Sequence, residues 1–184
     1  MRVLLLGVSE LFFHTEGDLV VDLDARRRAA RAVACLLALD GLAHLYWATG
    51  VTWPANDERA LSRAVVGAEV SFAPPVVLPL ALMLFTAAAA VLARGYGRGG
   101  RLAGLVSYGV AAGLSVRALA GVAWAVGFLD DAGPAFHWLN LLLYTPVCLV
   151  FGWLVATRVA PTTAAIGRGR AQSPTWVEEF PREH

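Results

Sequence analysis

Four long apolar runs dominate the chain, at about residues 29–49, 75–93, 102–129 and 138–157. Each is near the length of about 20 residues that a helix needs to cross a hydrocarbon layer about 30 Å thick. What separates the runs differs from gap to gap. Tyr96-Gly-Arg-Gly-Gly-Arg101 is a tight glycine-rich turn, whereas Val51 to Ala73 is long enough for structure of its own. In that longer connection Asn56-Asp57-Glu58 offers a helix cap and an acidic first turn. Leu61, Val65 and Ala68 follow at helical spacing, predicting a short amphipathic helix. It reads either as a solvated connector or as a lid over what lies beneath.

The ends of the chain fit no span. Met1 to Gly7 looks like a secretory leader, but Ser9 and Glu10 interrupt its apolar stretch and no small-residue cleavage pattern follows. Leu19 to Leu23 is compatible with a short strand, or with a poorly ordered extension. From Pro161 onward Pro, Thr, Gly, Arg and Glu mix without an apolar period, which predicts a disordered tail. The expected organisation is therefore an extension over 1–28, a four-span domain over 29–158 and a tail over 159–184. In class this is an all-α integral membrane four-helix bundle, with one short helix in the first outer loop.

Composition strengthens that reading. Of 184 residues 58% are hydrophobic and 16% charged, against about 25% charged in ordinary soluble domains. All 15 basic residues are arginine and nearly balance the 14 acids, for a net charge of +1. The arginines cluster at the ends of apolar runs rather than along one face, so no nucleic-acid partner is expected. Arg26, Arg27, Arg28 and Arg31 precede the first span, Arg94, Arg98 and Arg101 lie between the second and third, and Arg158, Arg168 and Arg170 follow the fourth. The opposite connections carry Asp57, Glu58, Glu69, Asp130 and Asp131, with only Arg59 and Arg63 as cations. Because flanking arginines stay on the cytoplasmic side, both termini are expected there.

Ionisable groups inside spans are costly and normally face the bundle interior or a wet cavity. The first span carries Asp40 and His44, four apart, and then Trp47, all on one helical stripe. The third carries Arg117, and the fourth carries Asn140 and Tyr144, followed by Pro146 and Cys148. Counting about 1.5 Å per residue from the arginine-bearing ends places these groups about 16 to 26 Å up, in one polar layer in the middle and outer half. Pro146 lacks the N–H that would bond the Leu142 carbonyl, so the fourth span should kink there. Gly109 and Gly113 form a small-xxx-small face, with Ser107, Ala111 and Ser115 close by, for tight packing.

Several residues together resemble a known bacterial family of four-span membrane proteins. His44-Leu-Tyr-Trp47 with Gly50 and Trp53, the lone Arg117, Gly127-Phe128, Pro134 with Phe136, and Leu143-Tyr-Thr-Pro-Val-Cys-Leu149 are similar to that family, the domain of unknown function 3995. The resemblance covers about 33–155 and implies a four-span fold in the bacterial plasma membrane, but no activity. The chain departs from the pattern in its N-terminal segment, its longer first outer connection and Asn140, where aspartate is expected in relatives.

Weighed residue by residue, Asp40 and His44 are the candidate catalytic pair, since a carboxylate one turn away orients an imidazole and raises its basicity, while His44 alone reads alternatively as a core histidine donating to a carbonyl. Asp40 with Arg117 reads alternatively as an ion pair that fixes helix register. Arg117, Tyr144, Asn140, Trp47, Tyr46 and Glu69 are the binding candidates, although Trp47, Trp53 and Trp138 read most simply as an aromatic belt. Cys35 and Cys148 have no C-x-x-C partner, and a metal or haem would need more ligands than His44 and Asp40 offer, so no metal or cofactor is expected. Phosphate-loop, dinucleotide and nucleophile-elbow motifs are lacking. Three function classes follow. The first is binding of a small apolar or amphipathic molecule in an outer-facing polar pocket, with isomerisation, cyclisation or epoxide opening as reactions. The others are non-catalytic binding or transport, and an accessory subunit. Membrane lipids and a second copy of the chain are the expected partners.

Overall fold

A computed structural model describes residues 2–128 and 133–161, with side chains from Asp22 onward. All regular structure among the described residues is helical. α1 is Arg2–Ala48, α2 is Glu58–Val66, α3 is Pro74–Gly95, α4 is Gly100–Ala125 and α5 is Pro134–Val159. Four segments are long and apolar enough to span a membrane: Asp22–Ala48 of α1, and the whole of α3, α4 and α5. The chain is a multi-pass membrane protein.

One expectation changes at the N-terminus. Leu19 to Leu23 is not a strand, because α1 runs unbroken from Arg2. Paired charges extend the helix below the apolar run: Asp24 meets Arg27 at 3.8 Å, three residues on, and Asp22 meets Arg158 of α5 at 3.5 Å. Helix α4 ends at Ala125, short of the expected Leu129. Leu129, Asp130 and Asp131 lie outside the described residues, as does the tail beyond residue 161.

α2 forms where its cap predicts. The Asp57 side chain accepts the Ala60 N–H at 2.7 Å, and Gly67 closes the helix at φ +80°, its N–H on the Arg63 carbonyl at 3.0 Å. Leu61 is buried against Phe72 and Val77, with Trp47 packed alongside. Ala68 lies beyond the helix end.

The spans pack around a ring. α1 lies against α3, α3 against α4 and α4 against α5, while α5 returns to α1 chiefly through its last turn, Val155–Val159. The main apolar core sits at that end. Ala29, Ala30, Val33, Ala34 and Leu37 of α1 meet Val91 of α3, Ala111 of α4 and Val155 and Val159 of α5. Small side chains bring the helices close. A methyl group at Gly95 would overlap the Ala30 methyl, so only glycine allows α1 and α3 to approach as they do.

Two of the flanking arginines are buried here. Arg26 donates to the Arg94 carbonyl at 2.8 Å and the Val159 carbonyl at 3.3 Å, and Arg94 donates to the Ala160 carbonyl at 2.8 Å. The last carbonyls of α3 and α5, which a helix leaves without intrahelical partners and at the negative end of its dipole, are thus met by guanidinium groups.

The expected packing of Gly109 and Gly113 does not occur. Both point outward with no atom near enough to meet a side chain. The small face of α4 that packs is Ala103, Gly104, Ser107, Ala111, Ala118 and Gly121. The same rotation turns Arg117 and Gly121 toward Asn140 of α5.

A matched pair of substitutions tests this rotation. Gly95→Ala should destabilise the protein by about 1–3 kcal/mol through overpacking. Gly109→Ala should be neutral or stabilise it by up to about 1 kcal/mol through helix propensity. Thermal unfolding of the two variants in one detergent, beside the parent protein, measures both.

Candidate functional site

The fourth span prepares the site by leaving the α-helical register. Over Asn140–Tyr144 the ladder widens to π geometry, and the Thr145 N–H bonds the Asn140 carbonyl five residues back. Pro146 follows immediately, so the break expected at this proline takes the form of an extra residue in the preceding turn. The wider turn brings Asn140 and Thr145, five apart, to one place. The Thr145 hydroxyl donates to the Asn140 Oδ1 at 3.2 Å.

Asn140 is 1% exposed and bonds at both ends of its amide. Its Nδ2 donates to the Gly121 carbonyl at 2.8 Å, and its Oδ1 also accepts from Arg117 Nη1 at 3.1 Å. Gly121 is required here, since an added Cβ would collide with the Thr145 hydroxyl and lie 2.9 Å from Asn140 Oδ1.

Around the half-buried Arg117 stand three rings. Its Cζ lies 5.3 Å from the centroid of Tyr144 and 5.9 Å from those of Trp124 and Phe136. Such rings compensate a cation that has lost water. Trp124 meets Phe136 edge-on at 5.0 Å, and Phe136 in turn lies under Gly67, the glycine that ends α2. α2 therefore roofs the site. Its Ala64 carbonyl accepts from the Tyr144 hydroxyl at 3.4 Å, and Val65 forms part of the wall of the cavity below.

That cavity measures about 400 Å³. α1 contributes Leu36, Leu37 and Asp40, α4 contributes Leu114 and Arg117, and α5 contributes Leu143, Tyr144, Val147 and Cys148. It lies in the part of the bundle where α1 and α5 have separated, since they pack together mainly at the opposite end. Asp40 and Arg117 both face it. Among the described residues no ion pair joins them, so the register-fixing pair is not formed.

His44 is placed differently from the expectation. Its Nδ1 lies 2.8 Å from the Asp40 backbone carbonyl and 3.5 Å from the Asp40 carboxylate. A carbonyl can only accept, so Nδ1 carries the proton, and the backbone rather than the carboxylate orients the ring. The imidazole is buried edge-on against Trp47 at 5.5 Å, and Trp47 against Phe72 at 5.5 Å, outside the cavity wall. Trp47 also donates to the Trp53 carbonyl at 3.3 Å. It belongs to the packing beneath α2, while Trp53 and Trp138 stay exposed as belt residues would.

Of the remaining candidates, Tyr46 projects outward from α1. Glu69 lies in the α2 connection, paired with Arg63 and, at 3.5 Å, with Arg59. Both stand away from the cavity. Arg117, Asn140 and Tyr144 are brought together, with Asp40 facing them. Thr145, Gly121, Trp124 and Phe136 complete the site and had no place among the sequence candidates. Gly121 lies four residues after Arg117 and was open to detection by helical spacing, whereas Thr145 is reached only through the π turn. Among the described residues no group of His, Cys, Asp and Glu could hold a metal ion.

The profile of a family described as protein of unknown function (DUF3995) matches residues 36–155. No curated protein and no solved structure gives a match.

The polar network at Asn140 carries a graded expectation. Thr145→Val removes one neutral hydrogen bond within α5 and should cost about 0.5–1 kcal/mol. Asn140→Leu removes the amide that joins α5 to the Gly121 carbonyl of α4 and leaves an Arg117 N–H without its acceptor, and should cost about 1–3 kcal/mol or more. Unfolding free energies measured in mixed micelles should fall in that order.

Proposed function

The chain belongs to the DUF3995 family, whose description gives no activity, and from its own residues we propose that it holds a small amphipathic molecule in the cleft between α1, α4 and α5. The observation that carries this reading is that Asp40 and Arg117 face one cavity without pairing with each other. Charged groups at the depth of a spanning helix are costly, and such positions are kept where a ligand or a pathway meets them. A volume of about 400 Å³ falls within the range of small-molecule sites.

Holding is favoured over turnover. An acid/base mechanism through Asp40 and His44 needs both groups against the substrate, but His44 is packed under Trp47 and outside the wall of the cavity. Half of the polar layer already serves packing: Asn140 joins α5 to the Gly121 carbonyl of α4, and Thr145 holds Asn140 within α5. The other half, Asp40, Tyr144 and the free edge of Arg117, serves the ligand. The setting proposed is the bacterial plasma membrane with both termini in the cytoplasm, supported by the arginines at the end where Arg26, Arg94 and Ala160 meet.

Native mass spectrometry of protein released from mild detergent tests the site. The parent protein should retain a defined small-molecule adduct that Val147→Trp, which fills the cavity, and Arg117→Ala both lose. An adduct equally retained by a folded Val147→Trp variant, or none on the parent protein, rejects the reading. For the orientation, a reporter that fluoresces only in the cytoplasm should be bright when fused to the C-terminal end and dark when inserted at Asp57.

A further inference from the structure

The cleft presents two opposite charges to one occupant, and this restricts the chemistry of its head group. Resting on the binding reading above, we propose that the ligand is an amphiphile whose head carries both a primary ammonium and an oxyanion, the ammonium on Asp40 and the oxyanion on Arg117 and Tyr144.

The Asp40 side chain is 52% exposed although it stands on a spanning helix. Its nearest cationic or donor group is His44 Nδ1 at 3.5 Å, and that N–H is already given to the Asp40 carbonyl at 2.8 Å. A carboxylate at this depth calls for a donor from outside the chain. Arg117 has the converse need. One of its five N–H groups meets Asn140 and its flanks meet rings, which leaves further donors on a side chain that lines the cavity. Tyr144 reaches the Ala64 carbonyl only at 3.4 Å, longer than the usual range for a hydroxyl donor, so a closer acceptor in the cavity would take its proton.

Simpler head groups satisfy only half of this. An anion alone would rest on Arg117 but face the Asp40 carboxylate, and a cation alone would meet the reverse. An uncharged tail would leave both charges unpaired in an apolar surround. A quaternary ammonium prefers aromatic faces, and the rings here already enclose the Arg117 guanidinium. An N–H-bearing ammonium suits a carboxylate instead. Leu36, Leu114, Leu143 and Val147 supply apolar wall for the first carbons of the tail, and the separation of α1 from α5 leaves room for the rest toward lipid. Two sources share this chemistry, an ethanolamine phospholipid and a long-chain 2-amino acid.

The test offers both sources in competition. Full-length protein in mild detergent is incubated with equimolar phosphatidylethanolamine, phosphatidylcholine and phosphatidylglycerol of one acyl composition. In a second arm it receives 2-aminohexadecanoic acid beside hexadecanoic acid. Bound species are read by native mass spectrometry. Retention of phosphatidylethanolamine or of the amino acid over its competitors by about tenfold, which corresponds to about 1.4 kcal/mol, is expected and identifies the source. Asp40→Asn should abolish that preference while keeping some binding, and Val147→Trp should lose all of it, which separates the cleft from surface lipid. If phosphatidylglycerol or hexadecanoic acid is held by the parent protein as well as its ammonium-bearing counterpart, the two-charge head is wrong and the cleft reading stands. If a folded Val147→Trp variant retains as much of every amphiphile as the parent protein, both are wrong.

Discussion

A guanidinium inside an apolar bundle has to be compensated locally, because the surrounding hydrocarbon offers no water to do it. Much of the bundle at the α2 end follows from that constraint on Arg117. One N–H goes to Asn140, and the cation is flanked by Trp124, Phe136 and Tyr144. Asn140 can serve only if its own amide is satisfied, which it achieves on Gly121 and Thr145. Thr145 is within reach only because the helix widens to π geometry ahead of Pro146. α2 then closes over the rings through Gly67 and Ala64. A chain of local requirements thus runs from one charge to the register of a whole helix.

The opposite end solves a different problem with the same residue type. Arg26 and Arg94 are buried against the terminal carbonyls of α3 and α5, where the helix dipoles and the missing intrahelical partners both favour a cation. With the Gly95 approach to Ala30 and the small-residue core, these contacts close the bundle. α1 and α5, pinned together at this end and meeting little elsewhere, leave a cavity between them. The asymmetry gives the cleft its place.

How much of this was legible beforehand depends on the range of the signal. The spans were, because a run of about 20 apolar residues needs no neighbour to be read. The α2 cap at Asp57 was also, since a cap is a contact three residues long. Rotation of a helix about its axis was not. Gly109 and Gly113 looked like a packing face, but in a helix apolar on every side the facing stripe is chosen by the partner, and Arg117 with Gly121 chose another. Thr145 escaped for a related reason, because spacings of three and four are blind to a pair five apart in a π turn. The continuous α1 was missed because valine and leucine near residue 20 are compatible with either secondary structure, whereas an uninterrupted helix satisfies its backbone with no partner strand.

The Asp40 and His44 pair shows where the argument from spacing stops. Residues four apart on a helix do lie together, yet the side chain at the later position can also reach back to the backbone carbonyl of the earlier one, and here that bond is the shorter. With the imidazole proton given to the backbone, the Asp40 carboxylate keeps only the longer 3.5 Å approach of His44 and otherwise faces the cavity. Asp40 and Arg117 are then not two halves of an internal ion pair but two walls of one space. That division lets a single polar layer join α5 to α4 through Asn140 while Asp40 and Arg117 line the cavity.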